Sequence, residues 1–389
     1  MNRQRIHTMR GALSRRQFIG RGVALGGAVV LSPTVLAACG GDDGGGGTGD
    51  GGGDDGSFKL ATWVYYIDGN DAAPQEAPTI KSFTDTTGIT VDYTVDVDDN
   101  VSFTATLQPK LEQGESTGYD LVVLTSWMCE RWIQNEWAMA FDDSKLPNKS
   151  NLLARHQDPS WDPGRAYTLP FAEGQVGIAY YQDEVGFEIT DVKDLLDERI
   201  KGKVTILSEM RDTLGMYMLS EGVDPTTASV DEAKAVVQII AEARDSGQFR
   251  KITGNSYTDD LSARDAIAAI AWSGDIVALQ ADNPDLLWVA PSVGQMSFVD
   301  TMMIPIGAKN VDQAHAWMNY LYDPEVSGAL FEFISYVSPV DGAIAVMSEE
   351  AQANPLINPP ADAKIVEFRT LTQDEADDLE NAFAQATQL

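Results

Sequence analysis

Three short apolar segments decide the fold: residues 59–64 read KLATWV, residues 90–95 read TVDYTV, and residues 120–124 read DLVVL. Two helix-like segments separate them, one at residues 77–87 and one in which apolar residues recur around Leu107. Strand, helix, strand, helix, strand in this order predicts a parallel sheet connected by crossover helices.

The rest of the chain continues the alternation of strands and helices. Further strands are predicted at residues 177–181 and 202–207. Ser229 and Glu232 form the capping-box pattern of a helix start, and we expect that helix to run to Ser246. A later helix is indicated by apolar residues at i, i+3, i+4 and i+7, namely Ala314, Trp317, Met318 and Leu321.

No internal repeat and no second glycine-rich or serine-rich linker occurs after Gly56. The remaining length is ample for two packed lobes. Because no linker divides the chain into two sequential parts, we expect the two lobes to be interleaved and joined by strands that cross at a hinge.

The first 38 residues have the composition of an export signal. They contain no acidic residue, and their apolar stretch, residues 23–38, is too short to span a bilayer as a free helix. Residues 14–19, SRRQFI, resemble the twin-arginine export signal, and residues 36–39, LAAC, resemble the lipobox of bacterial lipoproteins. We therefore predict a signal peptide at 1–38 and a lipid anchor on Cys39.

Residues 39–57 follow the predicted cleavage site and consist almost entirely of glycine and aspartate after Cys39. Such a segment has no apolar surface to bury and repels itself, so we predict a flexible tether between the membrane and the folded domain. Cys129 is the one other cysteine, which makes an intramolecular disulfide in the mature protein impossible.

The chain has 59 acidic and 27 basic residues and a formal net charge of −32. This charge argues against nucleic acid and against an anionic lipid surface as partners. A negative field raises the local concentration of cations, although solubility or adaptation to salt explains the same composition.

The sequence offers few residues that could carry out enzyme catalysis. After the signal, only His156 and His315 are histidines, and no Gly-x-Ser-x-Gly, Cys-x-x-Cys or His-Glu-x-x-His pattern occurs. We expect no enzymatic activity, no cofactor and no metal. The tyrosine pairs at 65–66 and 180–181 leave ferric iron as a distant alternative, because phenolates are hard oxygen donors.

Aromatic and acidic residues occur together where predicted strands end. Ligands in open α/β sheets bind outside the carboxyl ends of strands. Aromatic faces enclose a methylene chain and attract ammonium groups, while carboxylates pair with the terminal charges, so the combination predicts a site for an extended di- or polycation. These residues are Trp63, Tyr66, Trp127, Glu209, Asp212, Trp272, Asp275, Phe298 and Asp300.

From about residue 58 to the C-terminus, the sequence resembles the spermidine/putrescine-binding proteins of bacterial ABC importers. The resemblance rests on the order and spacing of short segments: TGITV at 87–91, YDLVV at 119–123, SKL at 144–146 with SNL at 150–152, KGKV at 201–204, WSG at 272–274, IP at 304–305 with AKN at 308–310, and DPEV at 323–326.

The resemblance implies a two-lobed α/β fold of the class II periplasmic-binding-protein type. Each lobe is expected to be a mixed, mostly parallel sheet flanked by helices, with crossing strands at the hinge. The first lobe is expected to comprise residues 58–166 and about 300–336, and the second about 167–299 and 337–389.

The resemblance also implies which residues line the cleft between the lobes. Glu209, Asp212 and Asp300 fall on the family's amine-binding carboxylates. The other implied positions are Trp63, Tyr66, Thr125, Trp127, Trp272, Phe298 and Tyr336.

Four positions complicate this pattern. The family's acidic residue between Trp63 and Tyr66 is missing, and Tyr65 is a candidate contact beside the gap. Glu173, where the family often has Trp, is a candidate for a compensating carboxylate. Arg369 would favour a ligand with a carboxylate, whereas we interpret Arg211, which the family tolerates, as a structural partner of the carboxylates.

The family implies capture of polyamines for a membrane permease of an ABC importer. The alternatives are a γ-aminobutyrate-like or other amino-acid ligand in the same transport role and, more remotely, an extracytoplasmic lipoprotein hydrolase. We expect a monomer in the periplasmic space or on the outer face of the cytoplasmic membrane, exported by the twin-arginine route and held there by Cys39.

Overall fold

The structure is a computed structural model that describes residues 56–388. The predicted signal peptide, Cys39 and the tether up to residue 55 lie outside the described residues. Among the helices of residues 56–388, none combines the length and the apolar character needed to cross a membrane.

Ten strands are described within residues 56–388. They are β1 (Ser57–Ala61), β2 (Thr90–Thr94), β3 (Leu121–Thr125), β4 (Thr168–Tyr181), β5 (Val204–Leu207), β6 (Phe249–Thr253), β7 (Ala268–Trp272), β8 (Leu286–Val289), β9 (Gln295–Met303) and β10 (Ile365–Val366).

All ten strands belong to one sheet, in the order β2-β1-β3-β9-β4-β7-β5-β6, with β10 beside β9 and β8 beside β4. At one end β1 pairs parallel with β2 and β3, and at the other end β5 pairs parallel with β6 and β7. The two long central strands, β4 and β9, are antiparallel to each other and to β7 and β3. They therefore join two parallel halves, as expected for strands that cross between lobes.

The α-helices of the described residues are α1 (Pro78–Thr87), α2 (Asn100–Leu111), α3 (Ser126–Gln134), α4 (Gln182–Val185), α5 (Met210–Ser220), α6 (Val230–Ser246), α7 (Tyr257–Ser262), α8 (Ser273–Gln280), α9 (Val311–Leu321), α10 (Pro324–Ile334), α11 (Ala343–Val346), α12 (Glu349–Ala353) and α13 (Gln373–Thr387). Short 3-10 helices occur at Pro74–Glu76, Asp143–Lys145, Pro147–Asn151, Ala154–His156, Pro163–Arg165, Val192–Leu196 and Glu198–Ile200.

Local sequence explains where α6 begins and ends. The Ser229 side chain accepts a hydrogen bond from the Glu232 backbone, and the Glu232 side chain accepts one from the Ser229 backbone, which completes the predicted capping box. Gly247 ends the helix with φ of 79°, a left-handed conformation that glycine adopts without strain. The predicted helix is confirmed, as is the buried face of α9.

Hydrophobic cores form on both halves of the sheet. One core contains residues of β4, β5, β7 and helices α5, α6 and α13. Two others cover the faces of β1 and β3, one of them with α1, α9 and α10 and the other with α2 and α3. This arrangement agrees with the predicted α/β class and its two lobes.

The segment after β9 does not divide between the lobes where the sequence led us to expect. Val340, Ala343, Met347 and Ile357 pack with Phe58 and the other residues of the first lobe's core, not with the second. We expected the chain to return to the second lobe at about residue 337. We now propose that it returns later, close to β10.

Candidate functional site

A cleft of about 890 Å³, its open mouth included, lies between residues of the two halves. Ten of the predicted site residues line it: Trp63, Tyr66, Thr125, Trp127, Glu209, Asp212, Trp272, Phe298, Asp300 and Tyr336. Most follow the ends of strands, because parallel strands present their carboxyl ends at one edge of a sheet.

Asp300 forms the floor of the cleft. It lies on β9 as the register partner of Thr125 at the end of β3, and the Thr125 hydroxyl donates to Asp300 Oδ1 at 2.8 Å. The Tyr66 hydroxyl donates to Oδ2. Burial raises the pKa of Asp300 to about 6, against the two hydrogen bonds, which lower it. A cation beside this carboxyl would restore its charge.

Four aromatic rings continue from Asp300 along the cleft. Tyr66 meets Tyr336 edge to face at 5.5 Å, Tyr336 meets Phe298 at 6.2 Å, and Phe298 meets Trp272 at 6.3 Å. These separations are within the range of favourable edge-to-face contacts. The chain of rings therefore forms a continuous apolar wall.

Two glycines make room for this wall. A Cβ added to Gly174 would lie 2.2 Å from the Phe298 ring, and one added to Gly274 would lie 2.4 Å from the Tyr336 ring. Since real contacts are never this short, both rings depend on the absence of a side chain at these positions.

Glu209 and Asp212 lie at the start of α5, just after buried strand β5. The N-terminus of a helix favours negative charge, and the Trp272 indole N–H donates to Asp212 Oδ2 at 2.7 Å. Burial, and then the neighbouring charge of Glu209, raises the pKa of Asp212 well above its usual range. Burial also raises the pKa of Glu209. Two carboxyls so close favour a positively charged ligand between them.

Two other residues predicted in the site, Asp275 and Tyr65, do not line the cleft. Asp275 lies behind the Tyr336 ring, and Tyr65 lies outside the cleft. Asp275 accepts hydrogen bonds from Tyr257 at 2.8 Å and from Tyr336 at 3.2 Å, so it holds the Tyr336 ring in place. Tyr65 is 48% exposed and adopts φ of 64°, a strained value for an aromatic residue. Its phenol is half-buried, and burial and then the charges of Asp275 and Asp259 raise its pKa.

Glu173 does not reach the cleft, contrary to our expectation. It lies on β4, where Oε2 accepts hydrogen bonds from Arg155 Nη2 at 2.7 Å and lies 2.9 Å from His156 Nε2. Burial opposes its charge, but these partners outweigh burial and hold the pKa of Glu173 below its usual value. The carboxylate is thus already neutralised by its own chain.

Arg369 is also outside the cleft, and its charge is satisfied locally. It pairs with Glu375 at 2.8 Å and donates through Nε to the Ala228 carbonyl at 2.7 Å. Its side chain lines a neighbouring cavity instead. The carboxylate-binding role that we considered for Arg369 is therefore not supported by its position.

Several cleft residues were not predicted. Asn100 fixes the end of β3 by donating to the Thr125 hydroxyl at 2.9 Å and accepting from the Thr125 backbone N–H at 3.0 Å. The strand-end rule that identified Asp212 also applies to most of the others, which follow β2, β5 and β6. The missed residues include Asp98, Asp99, Asn100, Ser208, Gly254, Asn255 and Glu367.

Acidic side chains dominate the charged lining of the cleft among the described residues. They are Asp98, Asp99, Glu209, Asp212, Asp300 and Glu367, whereas Arg211 is the basic residue. The Arg211 guanidinium lies 3.8 Å from the centre of the Trp127 ring and pairs with Glu380 at 3.2 Å. Its charge is therefore shared with Glu380 as well as with the cleft carboxylates, so the site is suited to a cation.

Comparison with known proteins agrees with this geometry. Residues 79–359 match the family model described as bacterial extracellular solute-binding protein. The putrescine-binding periplasmic protein PotF of Escherichia coli (strain K12) is 29% identical over 321 residues, covering 76% of this chain and 83% of the relative. The spermidine/putrescine-binding periplasmic protein 1 of Haemophilus influenzae is 26% identical over 311 residues, covering 78% and 81%.

A similar solved structure supports the fold. A putative spermidine/putrescine ABC transporter protein from Listeria monocytogenes superposes with a TM-score of 0.74 at 24% identity, over 85% of this chain and 99% of the other. At this identity the similarity establishes the two-lobed architecture alone.

Proposed function

Because this chain belongs to the family of bacterial extracellular solute-binding proteins, we propose that it captures a polyamine in the cleft and delivers it to the permease of an ABC importer. The observation that carries the proposal is the lining of the cleft, in which six acidic residues face one arginine beside a wall of aromatic rings. Two relatives, a putrescine-binding protein and a spermidine/putrescine-binding protein, support the same ligand class.

An extended diamine fits the division of the cleft into charged and apolar parts. One ammonium group would pair with Asp300 at the floor, and another with Glu209 and Asp212 at the start of α5. The methylene chain between them would lie along the rings of Phe298 and Trp272. Hydrogen bonds to charged groups contribute about 1.5 to 3 kcal/mol each, and cation–aromatic contacts contribute about 0.5 to 2 kcal/mol.

Ligand binding would be coupled to closure of the two lobes. Asp300 and Thr125 belong to the junction of β9 with β3, whereas Glu209 and Asp212 lie on α5 in the second half. A ligand that needs both sets of contacts stabilises the arrangement in which they are close together. The closed form is then the state that a permease can distinguish from the empty protein.

The same proposal includes the position of the protein in the cell. The N-terminal motifs favour export by the twin-arginine route, lipidation of Cys39 and a tether that holds a monomeric binding domain at the outer face of the membrane. We propose no catalytic step, because ligand capture accounts for the chemistry of the cleft. Metabolic labelling with a fatty acid tests the anchor: the protein should be labelled, and Cys39→Ser should abolish the label and release it from the membrane.

The ligand is tested by calorimetric titration of the purified protein with putrescine, spermidine, γ-aminobutyrate and ferric citrate. We expect the two polyamines to bind with micromolar or tighter affinity, since a few charged contacts supply the roughly 8 kcal/mol that this requires. Binding of γ-aminobutyrate but of neither polyamine would change the proposed ligand and leave the proposed transport role intact. Binding of ferric citrate alone, with a visible phenolate-to-iron band, would contradict the assignment of the cleft to a polyamine.

A further inference from the structure

A second cavity of about 500 Å³, open mouth included, adjoins the cleft. Five residues line both spaces and form the wall between them: Ser126, Trp127, Arg211, Glu367 and Phe368. Most other residues of the second cavity come from α3 and from the segment that leads into α13. The wall of the ligand cleft is thus supported from behind by α3 and by the segment that leads into α13.

Glu380, on α13, holds this wall from outside the cleft. Its Oε1 accepts from Arg131 Nη2 at 3.0 Å and from Arg211 Nη1 at 3.2 Å. The side chains of Arg131, Arg211 and Glu380 are 16%, 10% and 22% exposed. Partly buried charges are screened less by salt than surface pairs are, so this cluster has more influence than an exposed ion pair.

Both arginines contact Trp127. The Arg211 guanidinium lies 3.8 Å from the ring centre and that of Arg131 lies 5.2 Å away, both within the range of cation–aromatic attraction. The ring is therefore fixed by two cations, and one carboxylate fixes both cations. This geometry also means that ring surface near Arg211 is already occupied by a cation of the protein itself.

The cluster joins the two halves of the molecule. Arg131 lies on α3, whose residues Met128 and Trp132 pack in a core of the first half. Arg211 and Glu380 lie on α5 and α13, whose residues Leu214 and Leu379 pack in the core of the second half. The ion pair between Arg131 and Glu380 consequently bridges the lobes beside the cleft.

We infer that Glu380 is a positioning residue for ligand capture: through Arg131 and Arg211 it fixes Trp127 in the cleft wall and holds the two lobes together around a bound ligand. This inference rests on the proposed function, because it assigns Glu380 a role in closure over the polyamine. Glu380 is not among the residues that line the cleft. Its effect on affinity should therefore be the same for ligands of different length.

The test is calorimetric titration of putrescine and spermidine into the wild-type protein and into Glu380→Gln, which keeps the shape of the side chain and removes its charge. We expect the Kd for both ligands to rise by the same factor, about 3- to 10-fold, as for loss of a partly buried ion pair. Stopped-flow measurements should place the change in a faster dissociation rate, with the association rate within about twofold of wild type.

Asp378→Asn is the matched control, because Asp378 lies on the same helix but pairs with Lys234 of α6 within the second half. It should leave the Kd unchanged. Arg131→Gln should weaken binding, and the double variant with Glu380→Gln should lose less affinity than the sum of the two single losses, since both variants remove the Arg131–Glu380 ion pair.

Three results would overturn the inference: an unchanged Kd in Glu380→Gln, the same loss in Asp378→Asn, or additive effects of the two changes at Arg131 and Glu380. A wild-type protein that binds neither polyamine would instead overturn the proposed function, and the inference with it. Small-angle scattering of the ligand-saturated proteins gives an independent readout, because Glu380→Gln should have a larger radius of gyration than wild type.

Discussion

Thr125 and Asp300 are register partners on antiparallel strands β3 and β9, and their side chains are joined by a 2.8 Å hydrogen bond from the Thr125 hydroxyl to Asp300 Oδ1. This contact sits where a strand of the first half meets a strand that crosses the molecule. This buried carboxyl of the cleft is consequently fixed by the sheet itself. Its position relative to β3 should not change when the lobes move.

Removing the charge of Asp300 should weaken polyamine binding. Asp300→Asn keeps the size of the side chain but loses a charge-assisted hydrogen bond of about 1.5 to 3 kcal/mol, which corresponds to roughly 10- to 150-fold in Kd. Titration calorimetry with putrescine measures the change. Asp312→Asn on α9, where the carboxylate is exposed and pairs with Lys145, serves as the control and should bind as wild type. If the wild-type protein, Asp300→Asn and Asp312→Asn all bind putrescine with the same affinity, the ligand does not bind at Asp300.

Acidification should release the ligand. Burial raises the pKa of Asp300 to about 6, so in the empty protein this carboxyl takes up a proton as the pH falls through 6. A bound ammonium favours the ionised form, which means that binding must displace that proton at lower pH. The Kd for putrescine should therefore rise as the pH falls through about 7, where Glu209 takes up a proton, and through about 6, where Asp300 does, by up to about tenfold per pH unit for each protonated carboxyl.

Calorimetry between pH 5 and pH 8 at constant ionic strength measures this dependence, and titration in buffers of different ionisation enthalpy counts the protons released. Asp300→Asn should show a shallower rise than wild type. A Kd that stays flat down to pH 5 would contradict the assignment of buried carboxyls to the ligand site.

Glu173→Gln should lower stability more than affinity. Its carboxylate is buried among Arg155 and His156, and its pKa is held below the usual value, so its ionised form contributes stability that is present above about pH 4.5. This contribution is lost as the pH falls through the pKa of Glu173 in the folded protein. We expect the variant to lose about 1 to 3 kcal/mol of unfolding free energy at pH 7, measured by urea denaturation.

In the same variant the Kd for putrescine should change less than threefold, because Glu173 is not part of the cleft wall. A tenfold loss of affinity with unchanged stability would restore Glu173 as a ligand contact.

Gly274→Ala should weaken binding although it lies in a helix. Alanine in a helix is favoured over glycine by about 1 kcal/mol. Here, however, the new Cβ would lie 2.4 Å from the Tyr336 ring, so the ring must move and its hydrogen bond to Asp275 must lengthen. We expect a lower melting temperature and at least a severalfold higher Kd. A variant as stable and as tight as wild type would show that Tyr336 has another position available.

The parts of the fold that follow from local patterns were predictable from the sequence. The capping box at Ser229 and the spacing of apolar residues around Leu107 in α2 each depend only on residues a few positions away in the sequence. Cleft residues such as Asp212 and Asp300 were predictable because they follow a strand end or match a family position. Their hydrogen-bond partners come from distant segments and were not visible in the sequence.

Glu173 and Arg369 show why the remaining site residues could not be predicted. Glu173 is in the middle of the 14-residue strand β4, where the direction of a side chain depends on pairing with β9 and on neighbours from the Ala154–His156 turn. Arg369 is held by Glu375, which also completes the capping box of α13 with Thr372. The capping-box pattern of Thr372 and Glu375 is visible in the sequence and indicates a helix start three residues after Arg369.

Phe298 packs against the cores of both lobes, and its ring occupies the space that a side chain at Gly174, its register partner on β4, would need. The identities of these two positions are therefore not independent during evolution. A relative with a side chain at the position of Gly174 must have either a smaller residue or a reoriented ring at the position of Phe298, and thus a differently shaped apolar wall. Across related sequences, covariation between the two positions should accordingly mark changes in which ligands the cleft accepts.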